Sequence, residues 1–285
     1  MAENSKIEWT HHTFNPWWGC IKVSPACEHC YAEAWAKRVG QPVWGPKSAR
    51  RTFSDAHWRE PLKWNRDAEQ SGVRARVFCA SMSDVFEGRR ELDVERARLW
   101  QLIAVTPALD WLLLTKRPEN VVRMTPWSDR WPSNVWLGAT VENAKYAEKR
   151  LPELVAVPAI VHFVSCEPLL GSLDLRRWLV PRRRRNGASR SIDWVIAGGE
   201  SGGSARQMDP TWARELRDQC SASGVAFHFK QWGVWGPNGH GRHAVGVESL
   251  IRLGKAKAGR LLDGRTWDGL PTPIVETGAH SMGAP

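Results

Sequence analysis

Short apolar, β-branched runs recur along the chain at a steady interval. They fall at Arg76–Ala80, Trp111–Leu114, Val135–Leu137, Ala159–Val164, Trp194–Ala197 and Val225–Phe229. Their centres lie about 25 to 35 residues apart, the length of a strand, a crossover helix and two loops. Runs that are apolar at nearly every position predict strands covered on both faces, as in a parallel sheet. Segments with helical patterning lie between them, at Leu92–Val105, Asn143–Leu154 and Pro210–Ser223. The last is opened by Asp209-Pro210, an N-cap followed by proline at the first helical position. It stops before Gly224, as a helix does ahead of an αβ loop. Repeated βα units of this length predict an α/β chain built as a single parallel TIM-like βα barrel, partial or complete.

The residues directly after the runs are polar or charged and mixed with turn-formers. They read Ser81-Met82-Ser83-Asp84, Thr115-Lys116-Arg117-Pro118, Thr140-Val141-Glu142-Asn143, Ser165-Cys166-Glu167-Pro168, Gly198-Gly199-Glu200-Ser201-Gly202 and Lys230-Gln231-Trp232. In a parallel barrel these segments gather at one mouth, where active sites form. Helix capping accounts for the serines and threonines, but not for Lys116, Arg117, Glu167 or Lys230. Two stretches break the pattern: Gly40–Asn65, rich in Pro, Trp and Arg, reads as an irregular wrap, and Pro181–Arg190 as a basic insertion. The barrel is expected over residues 1–235, with a C-terminal extension, 236–285, packed on it. Within that irregular extension Gly236–Gly246 reads as a loop, Asp263-Gly264 as a turn and Ile274–Pro285 as a frayed tail.

Composition narrows the functional classes. No apolar run reaches the length of a membrane span, and the polar start Met1–Lys6 carries no secretory signal. Six cysteines in such a chain of 285 residues favour reduced thiols and a cytoplasmic location. The formal charge of +10 favours a polyanionic partner, with nucleic acid the foremost class. Arg176, Arg177, Arg182, Arg183, Arg184 and Arg185 carry much of that excess, and some of the eighteen tryptophans can stack on bases.

The densest chemistry lies near the N-terminus. Cys20, Cys27 and Cys30 are spaced C-x6-C-x2-C, and Tyr31 follows at once. Three thiols within eleven residues suit a metal or a cluster better than a disulfide, and three protein ligands leave one coordination position open. The alternatives are a structural zinc completed by His11, His12 or His29, and plain thiols. Cys79, Cys166 and Cys220 read as packed thiols.

A three-cysteine loop just before a helix and a series of βα units is the layout of radical S-adenosylmethionine enzymes, which the chain resembles. More narrowly it is similar to the phage-associated three-cysteine-motif family, described as radical-SAM-like. The resemblance is carried by Ile7-Glu8-Trp9-Thr10, Asn15-Pro16-Trp17-Trp18-Gly19-Cys20 and Val23-Ser24-Pro25-Ala26-Cys27-Glu28-His29-Cys30-Tyr31. It continues through Ser81–Phe86, Leu114–Pro118, Glu167–Gly171, Gly198–Gly202, Phe229–Gly233 and Ala258–Gly264. The first cysteine gap departs from the superfamily's C-x3-C-x2-C, and Gly198-Gly199-Glu200 follows a late strand where the superfamily has such a block after the second.

The resemblance implies that Cys20, Cys27 and Cys30 ligate a [4Fe-4S] cluster in a cluster-binding loop, residues 15–33. S-adenosyl-L-methionine would take the open iron, and its reductive cleavage would give a 5′-deoxyadenosyl radical. His29 would sit by the adenine, and Ser83 and Asp84 by the methionine amine or ribose. Lys116 or Arg117 would meet a carboxylate or phosphate. Ser81, Thr115, Glu142, Asn143, Glu167, Glu200 and Lys230 would complete the rim, and Cys166 would stand as a hydrogen-atom donor. The substrate expected is a nucleic acid, modified or repaired as spore photoproduct lyases repair theirs, with a flavodoxin or ferredoxin as reductant. The other expectations are a non-catalytic nucleic-acid-binding protein stapled by zinc or a cluster, and a radical enzyme for a metabolite or peptide.

Overall fold

The computed structural model describes residues 3, 5–128, 130–180, 182–183, 189–238 and 249–272. Seven parallel strands form one curled half-barrel sheet: β1 (His12–Thr13), β2 (Ala75–Cys79), β3 (Leu109–Thr115), β4 (Val135–Thr140), β5 (His162–Cys166), β8 (Trp194–Gly198) and β9 (Ala226–Gln231), in that order across the sheet. A small antiparallel pair, β6 (Arg182–Arg183) and β7 (Ser189–Arg190), interrupts the series between β5 and β8. Another, β10 (Trp235–Pro237) with β11 (Leu250–Arg252), follows it. All six apolar runs become sheet strands, and β1, too short to stand out in the sequence, adds the seventh.

The longer helices lie between the strands, as α1 (Tyr31–Arg38), α2 (Asp55–Ser71), α3 (Asp93–Ala104), α5 (Ala144–Ala156) and α7 (Pro210–Ser223). Shorter turns of helix are α4 (Val121–Met124), α6 (Arg176–Leu179) and α8 (Lys255–Ala258). Asp209 caps α7 by accepting from the Thr211 amide at 2.8 Å, and Gly224 ends it at φ 67°. α2 corrects the irregular reading of Gly40–Asn65. Trp58, Pro61, Trp64 and Ala68 are buried along it, at the spacing of one helical face. Pro61, in the helix interior, had masked that face, since proline there removes a hydrogen bond.

The sheet has two apolar faces. The outer one packs on the helices and holds most of the core, including Val77, Leu113, Leu137 and Val164, against which residues such as Leu216 of α7 are buried. The inner one is small and aromatic, with Phe78, Trp136, Phe163 and Trp194 around Trp9, which enters from the N-terminal segment. The Trp9 ring lies 4.6 Å from that of Phe78 and 6.0 Å from that of Trp194. Gly138 makes room for this packing, because a Cβ there would stand 2.3 Å from the Phe163 ring. Beyond β9 the chain returns along the sheet edge, where the Phe229 amide donates to the Trp267 carbonyl at 2.9 Å. Asp263 and Gly264 make the expected turn, at φ 54° and 78°. No helix among the described residues is long and apolar enough to cross a membrane. The tail Ile274–Pro285, most of Gly236–Gly246, and Arg184 and Arg185 lie outside the described residues.

Candidate functional site

The cysteine loop is stitched to the end of β2. Asn15 accepts from the Met82 amide at 2.7 Å and donates to Ser81 Oγ at 3.1 Å. The Gly19 amide donates to the Met82 carbonyl at 3.0 Å. Gly19 has φ 113°, and a Cβ on it would meet the Val43 carbonyl at 2.3 Å, so only glycine passes here. On the other side the Gly45 amide donates to the Cys20 carbonyl at 3.0 Å. A 3-10 turn, Pro25–Cys27, then carries the chain to Cys30, which sits at the N-cap of α1.

These connections bring Cys20, Cys27 and Cys30 to the wall of one cavity of about 140 Å³ over the C-terminal ends of the strands. Trp9, Phe78 and Leu114 also line it, as do Ser81, Ser83, Asp84, Thr115, Lys116, Arg117, Thr140, Ser165, Glu167 and Lys230. Strand alternation explains the selection: Phe163 points into the barrel and Ser165 follows it two residues later, while Val164 and Cys166 belong to the outer core.

Asp84 anchors the cysteine side of the cavity. Its two oxygens accept from Arg117 Nη1 at 2.7 Å, Thr115 Oγ1 at 2.7 Å, and the Phe86 and Lys116 amides at 3.0 and 3.1 Å. Burial alone would raise its pKa, but Arg117 and these donors hold it below its ordinary value. Arg117 Nη1 also points at Cys20 Sγ, 3.6 Å away, and Nη2 donates to the Ile21 carbonyl. The Cys20 thiol is pushed up to about 12 by burial and by Asp84, with Arg117 opposing.

Across the cavity, Lys230 Nζ meets Glu167 Oε2 at 2.6 Å. Glu167 Oε1 and Ser83 Oγ are buried with no hydrogen-bond partner among the described residues. Lys116, also in the wall, has no ion pair with a described carboxylate. The cavity thus brings the three thiols together with the Lys116 ammonium and, among the described residues, the unpartnered oxygens of Ser83 and Glu167.

Five residues expected at the site, Cys166, Glu142, Asn143, His29 and Glu200, do not line this cavity. Cys166 is fully buried on the outer face of β5, where burial raises its thiol well above the ordinary value. Glu142 is buried against Arg150 at 2.7 Å, and Asn143 caps α5 by accepting from the Tyr146 amide at 3.3 Å. His29 Nδ1 lies 3.2 Å from Glu200 Oε2, behind the cysteine loop. Glu200 is gripped by Arg206 at 2.5 and 2.8 Å. Arg206 reaches on to the Pro25 carbonyl and to Glu28, both at 2.9 Å. Burial disfavours the charged form of Glu200, yet the Arg206 hydrogen bonds hold its pKa below the ordinary value. The Gly-Gly-Glu block is therefore a clamp on the segment between Cys27 and Cys30. Arg206 and Trp9 escaped the sequence reading. Arg206 stands six residues after Glu200, and Trp9 in a quoted block, but no local pattern ties either to the cysteines.

Among the described residues no three His, Cys, Asp or Glu side chains converge on a point where one ion would sit. His11 accepts from the Arg76 amide at 2.8 Å, and His12 stacks on Trp64, so both serve the β1 edge rather than the cysteines. In a cubane cluster each thiolate takes a different iron, so the sulfurs need not converge. Three thiols around one cavity are a donor set that such a group can take.

No curated protein matches the chain. Solved structures similar to it include a cysteine-to-serine mutant of spore photoproduct lyase, at 14% identity and TM-score 0.45, over 87% of this chain and 70% of that one. A double mutant of spore photoproduct lyase with bound AdoMet and dinucleoside spore photoproduct matches at 13% and 0.42, over 76% of this chain and 55% of that one. The chain thus spans about half the length of that lyase. The model of a family described as a protein of unknown function, DUF5131, matches residues 4–271, strands, cysteine loop and C-terminal turn included, and the chain belongs to that family.

Proposed function

We propose that the chain is a radical S-adenosylmethionine enzyme of the phage-associated three-cysteine-motif kind, acting on a nucleic acid by base modification or lesion repair. The observation that carries this reading is the meeting of Cys20, Cys27 and Cys30 with Ser83, Lys116 and Glu167 in one cavity at the strand ends. The three thiols would hold a [4Fe-4S] cluster. When bound, the cluster and S-adenosyl-L-methionine supply one-electron reduction and hydrogen abstraction, chemistry no side chain provides.

This chain's own residues bind, orient and exclude water. Lys116 holds an anionic carboxylate or phosphate by a charge-assisted hydrogen bond. Ser83 Oγ and Glu167 Oε1, idle in the wall, receive hydroxyl or ammonium donors. Lys230 holds Glu167 in place through their ion pair. Arg117 offsets the negative charge of a Cys20 thiolate. Trp9, Phe78 and Leu114 close the floor against water.

The test is anaerobic: the reconstituted protein is given dithionite and S-adenosyl-L-methionine, and 5′-deoxyadenosine is measured. The wild type is expected to form it, and Lys116→Ala to raise KM for S-adenosyl-L-methionine about ten- to hundredfold, the worth of one hydrogen bond to a charged group. A brown protein that forms none would leave a cluster-stapled binding protein, and a colourless zinc protein would end the reading. Arg206→Ala should speed iron loss in a chelator chase, because Arg206 ties Glu200 to Glu28 and the Pro25 carbonyl beside the cysteines. Retention equal to wild type would show that the Glu200–Arg206 clamp does not hold the cysteine segment.

A further inference from the structure

A groove of about 1020 Å³ runs beside α1 and shares Lys22, Cys30, Tyr31 and Met82 with the cysteine cavity. Tyr31 and Trp35, one turn apart on α1, line it and stay 57% and 48% exposed. Lys6, Lys22, Lys37 and Arg38 stand around them. The wall also carries two carboxylates, both already paired. Glu33 sits beneath Lys22 and Lys37, at 2.9 and 2.7 Å, and is only 14% exposed against 47% and 67% for the lysines. Glu28 is held by Arg206. What the groove presents outward is therefore two aromatic faces in a frame of four cations and one exposed carboxylate, Glu28. The arginines of α6 lie outside this groove, Arg176 paired with Asp174 at 2.6 Å and Arg177 with Glu148.

From this juxtaposition we infer that the α1 groove binds single-stranded nucleic acid and feeds an unstacked base toward the cysteine cavity, with Trp35 and Tyr31 as the stacking platform. Exposed aromatics in a basic channel are the physical signature of single-strand binding, because every base has a π-face and every nucleotide a phosphate. The Tyr31 ring is fixed for this role by its hydroxyl, which donates to the Ser81 carbonyl at 3.0 Å. An unstacked base is also what chemistry on a base requires. The inference rests on the cavity being the reacting site, and it gives that site its substrate form.

The experiment is fluorescence anisotropy on anaerobic, cluster-loaded protein at one fixed salt concentration. The probes are a labelled single-stranded oligodeoxynucleotide, the same sequence as RNA, and the DNA duplex. One of the single strands should bind more tightly than the duplex. Trp35→Ala should weaken that binding about tenfold, within the range for losing one base stack. Arg38→Ala should weaken it and flatten its salt dependence, while an Arg176→Ala, Arg177→Ala pair should leave it unchanged. Duplex binding as tight as single-strand binding would overturn the inference. So would a Trp35→Ala protein that binds as wild type does, including one that only slows cluster reduction by an acidic flavodoxin. Iron content and 5′-deoxyadenosine are measured on the same samples. Wild-type protein that holds iron and forms 5′-deoxyadenosine but binds neither single strand overturns the groove alone, whereas single-strand binding by a protein that holds no cluster overturns the enzyme reading alone.

Discussion

Asp84→Ala should destabilise the protein by about 3–5 kcal/mol, the penalty for removing one partner of a buried ion pair. Asp84 is 5% exposed and Arg117 7%, so the abandoned guanidinium has little water to turn to. Four donors lose their acceptor at once: Arg117, Thr115 and the amides of Phe86 and Lys116. The damage reaches the site because Arg117 also ties down Cys20 and the Ile21 carbonyl. Urea unfolding of the apoprotein measures the loss directly, and Asp84→Asn, which keeps the shape but not the charge, should fall between the two. The folded-state pKa of Asp84 is depressed. Its stabilisation is therefore fully present above the unfolded carboxylate value, about 3.9, and disappears as pH falls through the folded value. The wild-type advantage over Asp84→Ala should shrink only in that acid range. A loss under 1 kcal/mol at neutral pH would show that Asp84 does not hold this corner of the site.

Replacing any one of Cys20, Cys27 or Cys30 by alanine should abolish cluster assembly, while Cys79→Ala, Cys166→Ala and Cys220→Ala should leave it at the wild-type level. The first three line the cavity. The second three lie fully buried in the core between sheet and helices, where they pack and cannot reach the loop. Colour and iron content after anaerobic reconstitution separate the two groups. Iron retained by Cys20→Ala at the wild-type level would remove that thiol from the ligand set.

The strands and the cysteine loop were legible because each is written locally. Continuous apolar runs mark β2 to β5, β8 and β9, and three cysteines within eleven residues mark the loop. The members of the cavity wall were only half legible. Residues after parallel strands do gather at one end, but whether a given side chain faces the cavity depends on strand register, and one residue changes the face. Ser165 and Cys166 fall on opposite faces for that reason, and Glu142 turns away to meet Arg150. The clamp of Glu200 on His29 and Arg206 spans 171 residues between its first two members, a distance at which no local pattern carries information. α2 was missed because Pro61 lies inside its apolar face.

The most direct single measurement is the iron, acid-labile sulfide and zinc content of the anaerobically purified protein, before any variant is made. A [4Fe-4S] cluster on Cys20, Cys27 and Cys30 predicts about four iron and four sulfide per chain with no stoichiometric zinc. About one zinc per chain with no sulfide, the content of a structural site, would contradict it.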